Sequence, residues 1–165
     1  MSEENQTAEN QPADNQPQFN LQHLYLKDVS FETPNSPHIF TQMGSAQPET
    51  SVNFNTEVNA LDEAHHEVVL TATITTKVGD KTAYLVEVQQ AGIFFMSGFN
   101  EHDLGPLTRA HCPNIIYPYV RQTVSELIGK GGFPPLLLQP YNFEALYAQQ
   151  MQQQAAASDE QPAAN

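Results

Sequence analysis

The chain has 165 residues, 39% of them hydrophobic, which is enough material for one domain. Six Lys and Arg stand against 19 Asp and Glu, a formal net charge of −13. A nucleic-acid binder needs the opposite sign to displace counterions from phosphate, so that class is excluded, and a lone cysteine, Cys112, excludes an intramolecular disulfide.

Residues 1–20, "MSEENQTAENQPADNQPQFN", hold four acids and no Lys or Arg. They cannot bury enough apolar area to offset about 1–2 kcal/mol of backbone entropy per ordered residue, and are expected to be a disordered acidic tail. Residues 149–165, Gln- and Ala-rich, are expected to be largely disordered too, apart from a short helical stretch near 149–154. The expected folded domain is 21–148. It keeps 13 acids against 6 bases, about −7, so it favours basic partners. The start has no signal pattern, and no stretch reaches about 18 apolar residues, which predicts a cytoplasmic chain not inserted in a membrane.

Four strand-like runs come first. In 21–32, Val29 and Phe31 alternate with Asp28, Ser30 and Glu32. In 50–58, Val52, Phe54 and Val58 share one face. In 66–78, Val68, Leu70, Ala72 and Ile74 lie opposite mostly Thr, and in 81–91 Tyr84, Val86 and Val88 lie opposite Leu85, Glu87 and Gln89. "VGDK" at 78–81 predicts a tight hairpin, since Gly79 can take a positive φ. Such alternation fits antiparallel strands with one solvated face.

Helical spacing follows within 111–130, at Ile116, Tyr119 or Val120, Thr123, Leu127 and Ile128. Pro118 is expected to kink this helix or to mark its beginning, and "GKGG" at 129–132 to stop it. The three prolines of "FPPLLLQPY" forbid a helix or a central strand, and Asn142 can cap a last helix carrying Phe143, Leu146 and Tyr147. Strands followed by helices predict an α+β fold: a four-stranded antiparallel sheet packed on two C-terminal helices.

No catalytic or metal apparatus stands out. "HCP" at 111–113 places His111 beside Cys112, but neighbours on a helix point about 100° apart, so adjacency makes no dyad. The six histidines show no zinc-type spacing, and "DEAHHE" at 62–67 reads as a polar turn entering a strand. Three apolar segments remain unplaced: "GIFFMSGF" (92–99), the Pro-rich "GGFPPLLLQPY" stretch (131–141), and the Phe143, Leu146, Tyr147 stripe. They either complete the core or an oligomer interface, or form an adaptable apolar binding groove.

Several long stretches together resemble the SecB family of bacterial protein-export chaperones. They are "YLKDVSFETPNSPHIF" (25–40), "EVVLTATIT" (67–75), "TAYLVEVQQAGIF" (82–94) and "AHCPNIIYPYVRQTVSELIGKGGFPPLLLQPYNFEALY" (110–147), with the Gln-rich tail. The acidic N-terminal tail is longer than that pattern expects. The resemblance implies a non-enzymatic, ATP-independent holdase that keeps secretory preproteins unfolded and delivers them to SecA, the translocation motor. It implies a homotetramer, a dimer of dimers, with no cofactor or metal of its own; zinc would belong to the basic C-terminal segment of SecA. Matched to the family's acidic docking surface are Asp28, Glu32, Leu85 and Glu87. Matched to its client groove are Val52 and Phe54, then Phe94, Phe95, Met96 and Phe99 of an expected crossover. Phe133, Leu137, Tyr141, Phe143, Leu146 and Tyr147 complete that set.

Overall fold

The computed structural model describes residues 16–159. Most of the expected N-terminal tail, residues 1–15, therefore lies outside the described residues. Four antiparallel strands, β1 (Gln18–Glu32), β2 (Pro48–Ala60), β3 (His65–Val78) and β4 (Lys81–Ser97), form one sheet in the order β1-β4-β3-β2. A short helix α1 (Ile39–Gln42) lies between β1 and β2. After β4 come α2 (Glu101–Pro106), a π-helical turn (Leu107–His111), α3 (Cys112–Lys130) and, beyond the Pro-rich loop, α4 (Phe143–Asp159).

The strand faces follow the period of two. Val68, Leu70, Ala72, Ile74, Val86 and Val88 are fully buried on the helix side, opposite Ile116, Val120, Val124 and Ile128 of α3. Of the alternatives Tyr119 and Val120, the helix buries Val120 and leaves Tyr119 exposed. Gly79 takes φ 59° at the β3–β4 hairpin, as the "VGDK" signal predicts. At the β2–β3 turn, Asp62 accepts from the backbone N–H groups of Ala64 and His65 and meets the His65 ring at 2.8 Å, so "DEAHHE" is a capped turn. Those bonds, the Ala64 N–H first, hold the Asp62 carboxyl below its ordinary range.

Four boundaries differ from the sequence expectation. β1 begins at Gln18, and Phe19 stacks on Phe94 at 5.6 Å, so the folded part starts before residue 21. β4 does not end near residue 91 but runs on to Ser97. Its alternation persists there, with Phe94 and Met96 inward and Ile93 and Phe95 outward; apolar residues on both faces hide the period. Helical backbone begins at Glu101, not near 111 or at Pro118. The π turn supplies the reason: the Cys112 N–H reaches back to the Leu107 carbonyl, a wider turn just before Pro113, which has no N–H to give. Finally, α4 continues through the Gln- and Ala-rich stretch to Asp159, past the domain limit expected at residue 148 and past the helical stretch expected near 149–154. It packs chiefly against the π turn rather than flat on the sheet.

Candidate functional site

The helix-side surface of edge strand β2 is only partly covered. Thr50, Val52 and Phe54 project there, and the Pro-rich loop faces them instead of a helix. That loop is fixed at both ends. Gly131 and Gly132 close α3 through N–H bonds to Leu127 and Gly129, with Gly132 at φ 85°. At the other end Asn142 caps α4, its side-chain oxygen 2.9 Å from the Ala145 nitrogen. In between, the buried Tyr117 hydroxyl of α3 donates to the Gln139 carbonyl.

The result is a groove made of two adjoining cavities. One, about 300 Å³, is lined by Val52, Tyr117, Leu136, Leu137 and Tyr141 among others. The second, about 180 Å³, is lined by Met43, Pro48, Tyr84, Phe133 and Pro135 among others, and shares Thr50 and Leu136 with the first. Aromatic clusters close both ends. Phe54, Tyr141 and Phe143 meet at 4.6 and 5.0 Å between ring centroids; Phe133 lies 4.9 Å from Tyr84 and 5.0 Å from Phe40. Leu137 is 65% exposed and Val52 42% exposed, so the walls are apolar and open.

Of the residues matched to a client groove, the structure brings together Val52, Phe54, Phe133, Leu137, Tyr141 and Phe143. It places the others elsewhere. The expected crossover is strand: Phe94 is fully buried and Met96 nearly so, and neither reaches a surface. Phe95 faces outward against His65 at 5.3 Å, on the opposite side of the sheet from the groove. Phe99 lines a separate apolar opening with Pro106, Leu107 and Ala110. Leu146 and Tyr147 are half-buried against the core, with the Tyr147 hydroxyl over Gly105. Met43, Pro48, Tyr117 and Leu136 join the groove, and none carried a periodic signal that marked it.

The outward face carries a second feature. Glu32 is register partner of Leu85, Ser30 of Glu87 and Asp28 of Gln89, so Asp28, Glu32, Leu85 and Glu87 share one patch on β1 and β4. Asp28 and Glu32 are exposed, Leu85 and Glu87 half-buried. Among the described residues, the side-chain hydrogen bond that reaches these four is from the neighbouring Gln89 to Glu87, at 3.3 Å.

Beside this patch lies a polar network that sequence reasoning missed. Glu67 on β3, 8% exposed, accepts from Lys27 at 2.7 Å, from Asn59 at 2.9 Å and from the Tyr25 hydroxyl. The Lys27 ammonium, with the Tyr25 hydroxyl, holds the Glu67 carboxyl down at about 2, while burial and then Glu67 push Tyr25 up to about 12. By contrast Cys112 is buried and desolvation alone raises its thiol far above the ordinary value, which suits a packed side chain rather than a nucleophile. Among the described residues, no group of His, Cys, Asp and Glu is arranged to hold a metal, and no helix is long and apolar enough to cross a membrane.

An open apolar groove beside a free sheet edge, with an acidic patch on the reverse face, is the build of a polypeptide-binding scaffold. The family model described as preprotein translocase subunit SecB matches residues 12–154. The chain is 50% identical over 157 residues to a protein-export protein SecB of Nitrosococcus oceani, covering 95% of this chain and 96% of that one. It is 53% identical over 163 residues to a protein-export protein SecB of Methylococcus capsulatus, covering 99% and 98%. A SecB-like chaperone of Mycobacterium tuberculosis, solved with a peptide from an antitoxin, shares the fold with TM-score 0.63 at 16% identity, covering 75% of this chain and 91% of that chain. The chain belongs to the SecB family.

Proposed function

We propose that this protein is an ATP-independent holdase that keeps secretory preproteins unfolded and hands them to SecA. The observation that carries the reading is the groove: an apolar, aromatic-ended channel about 300 Å³ in its larger part, running beside the unpaired edge of β2. An extended client segment would place alternate side chains in the groove and pair its backbone with that edge. Such contacts carry little sequence preference, and Met43, Leu136 and Leu137 can repack around varied side chains.

The patch of Asp28, Glu32, Leu85 and Glu87 would receive the basic, zinc-bearing C-terminal segment of SecA on the face opposite the client. The acidic excess of the chain supports this reading by steering a basic partner toward it. The chain would work as a homotetramer, a dimer of dimers. The exposed Leu26 and Val29 at the β1 edge and Tyr119 on α3 support self-association, and a long client then gains avidity from several grooves. Its place of work would be the cytoplasm.

Size-exclusion chromatography with light scattering tests the reading. A species near four times 18.3 kDa should take up a chemically unfolded precursor and ignore its folded form. A monomer indifferent to both would refute it. Glu87→Lys should abolish SecA affinity and leave client uptake intact; joint loss would refute the separation of the two surfaces.

A further inference from the structure

The acidic patch has an odd neighbour. Lys27 immediately precedes Asp28, at the register shift between Leu26 and Asp28 in the β1–β4 pairing. A bulge of this kind re-aims side chains, and Lys27 reaches the outward face, the same face as Asp28. The rows of that face holding Asp28, Glu87 and Glu32 otherwise carry only amides, hydroxyls and Leu85. Lys27, beside Asp28 in sequence and on its face, is thus the cation placed to neutralise that end of the patch. It does not: its ammonium turns away to Glu67, 2.7 Å distant on β3, two strands across the sheet. Asp28 and Glu32 make no ion pair and no side-chain hydrogen bond to any described residue.

Glu67 is well built for this task. It is nearly buried, and Asn59 and Tyr25 occupy its carboxylate along with Lys27, so the carboxylate is held in place. The three partners come from β1 and β2, on both sides of β3. A long lysine stem gives up rotamer freedom to sit there, and a fixed, charge-assisted acceptor offsets that cost.

We propose that Glu67 is an internal counter-ion that positions Lys27 away from Asp28, leaving the acidic patch uncompensated for a basic partner. The proposal rests on the docking role assigned to that patch above. Glu67 touches no partner in this picture; it acts through Lys27.

The test is calorimetric titration of the full chain with the zinc-loaded basic C-terminal segment of SecA, at low ionic strength. Glu67→Gln frees Lys27 to pair with Asp28, and affinity should fall by about three- to tenfold. The double variant Glu67→Gln with Lys27→Met removes the freed cation and has the parent's net charge, so it should restore parent affinity. Parent-like affinity in the single variant, or no restoration in the double, would overturn the proposal; a purely structural role would give the unrestored result. Lys27→Gln alone provides a check that leaves Glu67 in place. Affinity within about threefold of the parent supports sequestration, and a larger tightening would show that Lys27 already screens the patch and overturn it. Glu87→Lys separates the two layers of argument. If it binds the segment like the parent, the docking role itself falls; if it abolishes binding while Glu67→Gln does not weaken it, the counter-ion role alone falls.

Discussion

Phe54 on β2 and Tyr141 in the Pro-rich loop meet with ring centroids 4.6 Å apart, and this contact closes one end of the groove. An edge-strand side chain and a loop side chain thus hold each other while the backbone edge of β2 stays free. The groove is therefore a gap between two supported walls, each anchored at its own end.

Phe94 separates core from groove. It is fully buried and stacks on Phe19, so Phe94→Ala should cost about 3–5 kcal/mol of stability. Chemical denaturation measures this. Client affinity per folded molecule should be unchanged, because Phe94 does not line the groove.

Gly131 is required by a close approach. A Cβ there would lie 2.1 Å from the Phe31 ring, which is itself packed against Tyr84 and Phe133. Gly131→Ala should destabilise by about 1–3 kcal/mol through overpacking, despite alanine's better helix propensity. Adding Phe31→Leu should recover part of the loss, since it removes the ring that clashes.

Glu67 gives the fold an acid-side pH dependence. Its folded value, about 2, lies below the ordinary 4.5, so between these limits the unfolded chain binds more protons and stability rises with pH. The contribution is fully present above about pH 4.5 and is lost as pH falls through about 2. Urea midpoints at pH 5 and pH 3 should therefore fall further for the parent than for Glu67→Gln, which has no proton to gain there. Equal falls would contradict the network.

Cys112 should be dispensable for client binding. Its burial and raised thiol leave no thiolate at neutral pH, so Cys112→Ala should bind unfolded precursor like the parent. Its cost should be confined to about 1 kcal/mol of stability from the smaller side chain. Loss of client binding in that variant would contradict a binding role free of cysteine chemistry.

How much was legible in the sequence depends on whether one face met solvent. The middle of each strand read correctly because Thr, Asp and Glu alternate with Val, Leu and Ile. From Gly92 to Ser97 the alternation was invisible, since Ile93 and Phe95 face outward while Phe94 and Met96 face in, and hydrophobicity alone cannot tell those faces apart. The helix from Glu101 was hidden by the breakers Gly105, Pro106 and Pro113; the first two sit inside α2, and a π turn precedes the third. Beyond the short helical stretch expected near 149–154 the chain looked too polar to order, yet Gln, Met and Ala are strong helix formers and the stretch simply extends α4. The acidic patch came from the family resemblance, and strand parity agreed with it. The Glu67 network could not, because its partners lie 8, 40 and 42 residues away in sequence and meet only through the strand order.

Leu137 is the most direct probe of the account. It is 65% exposed at the groove wall, so Leu137→Asp should fold normally while placing a charge where an apolar client side chain must sit. Fluorescence anisotropy of a labelled, reduced, unfolded precursor should show tight binding to the parent, at least about tenfold weaker binding to Leu137→Asp, and none of the folded precursor to either. Equal binding of parent and variant, or binding of the folded precursor, would contradict the assignment of this groove as the client site.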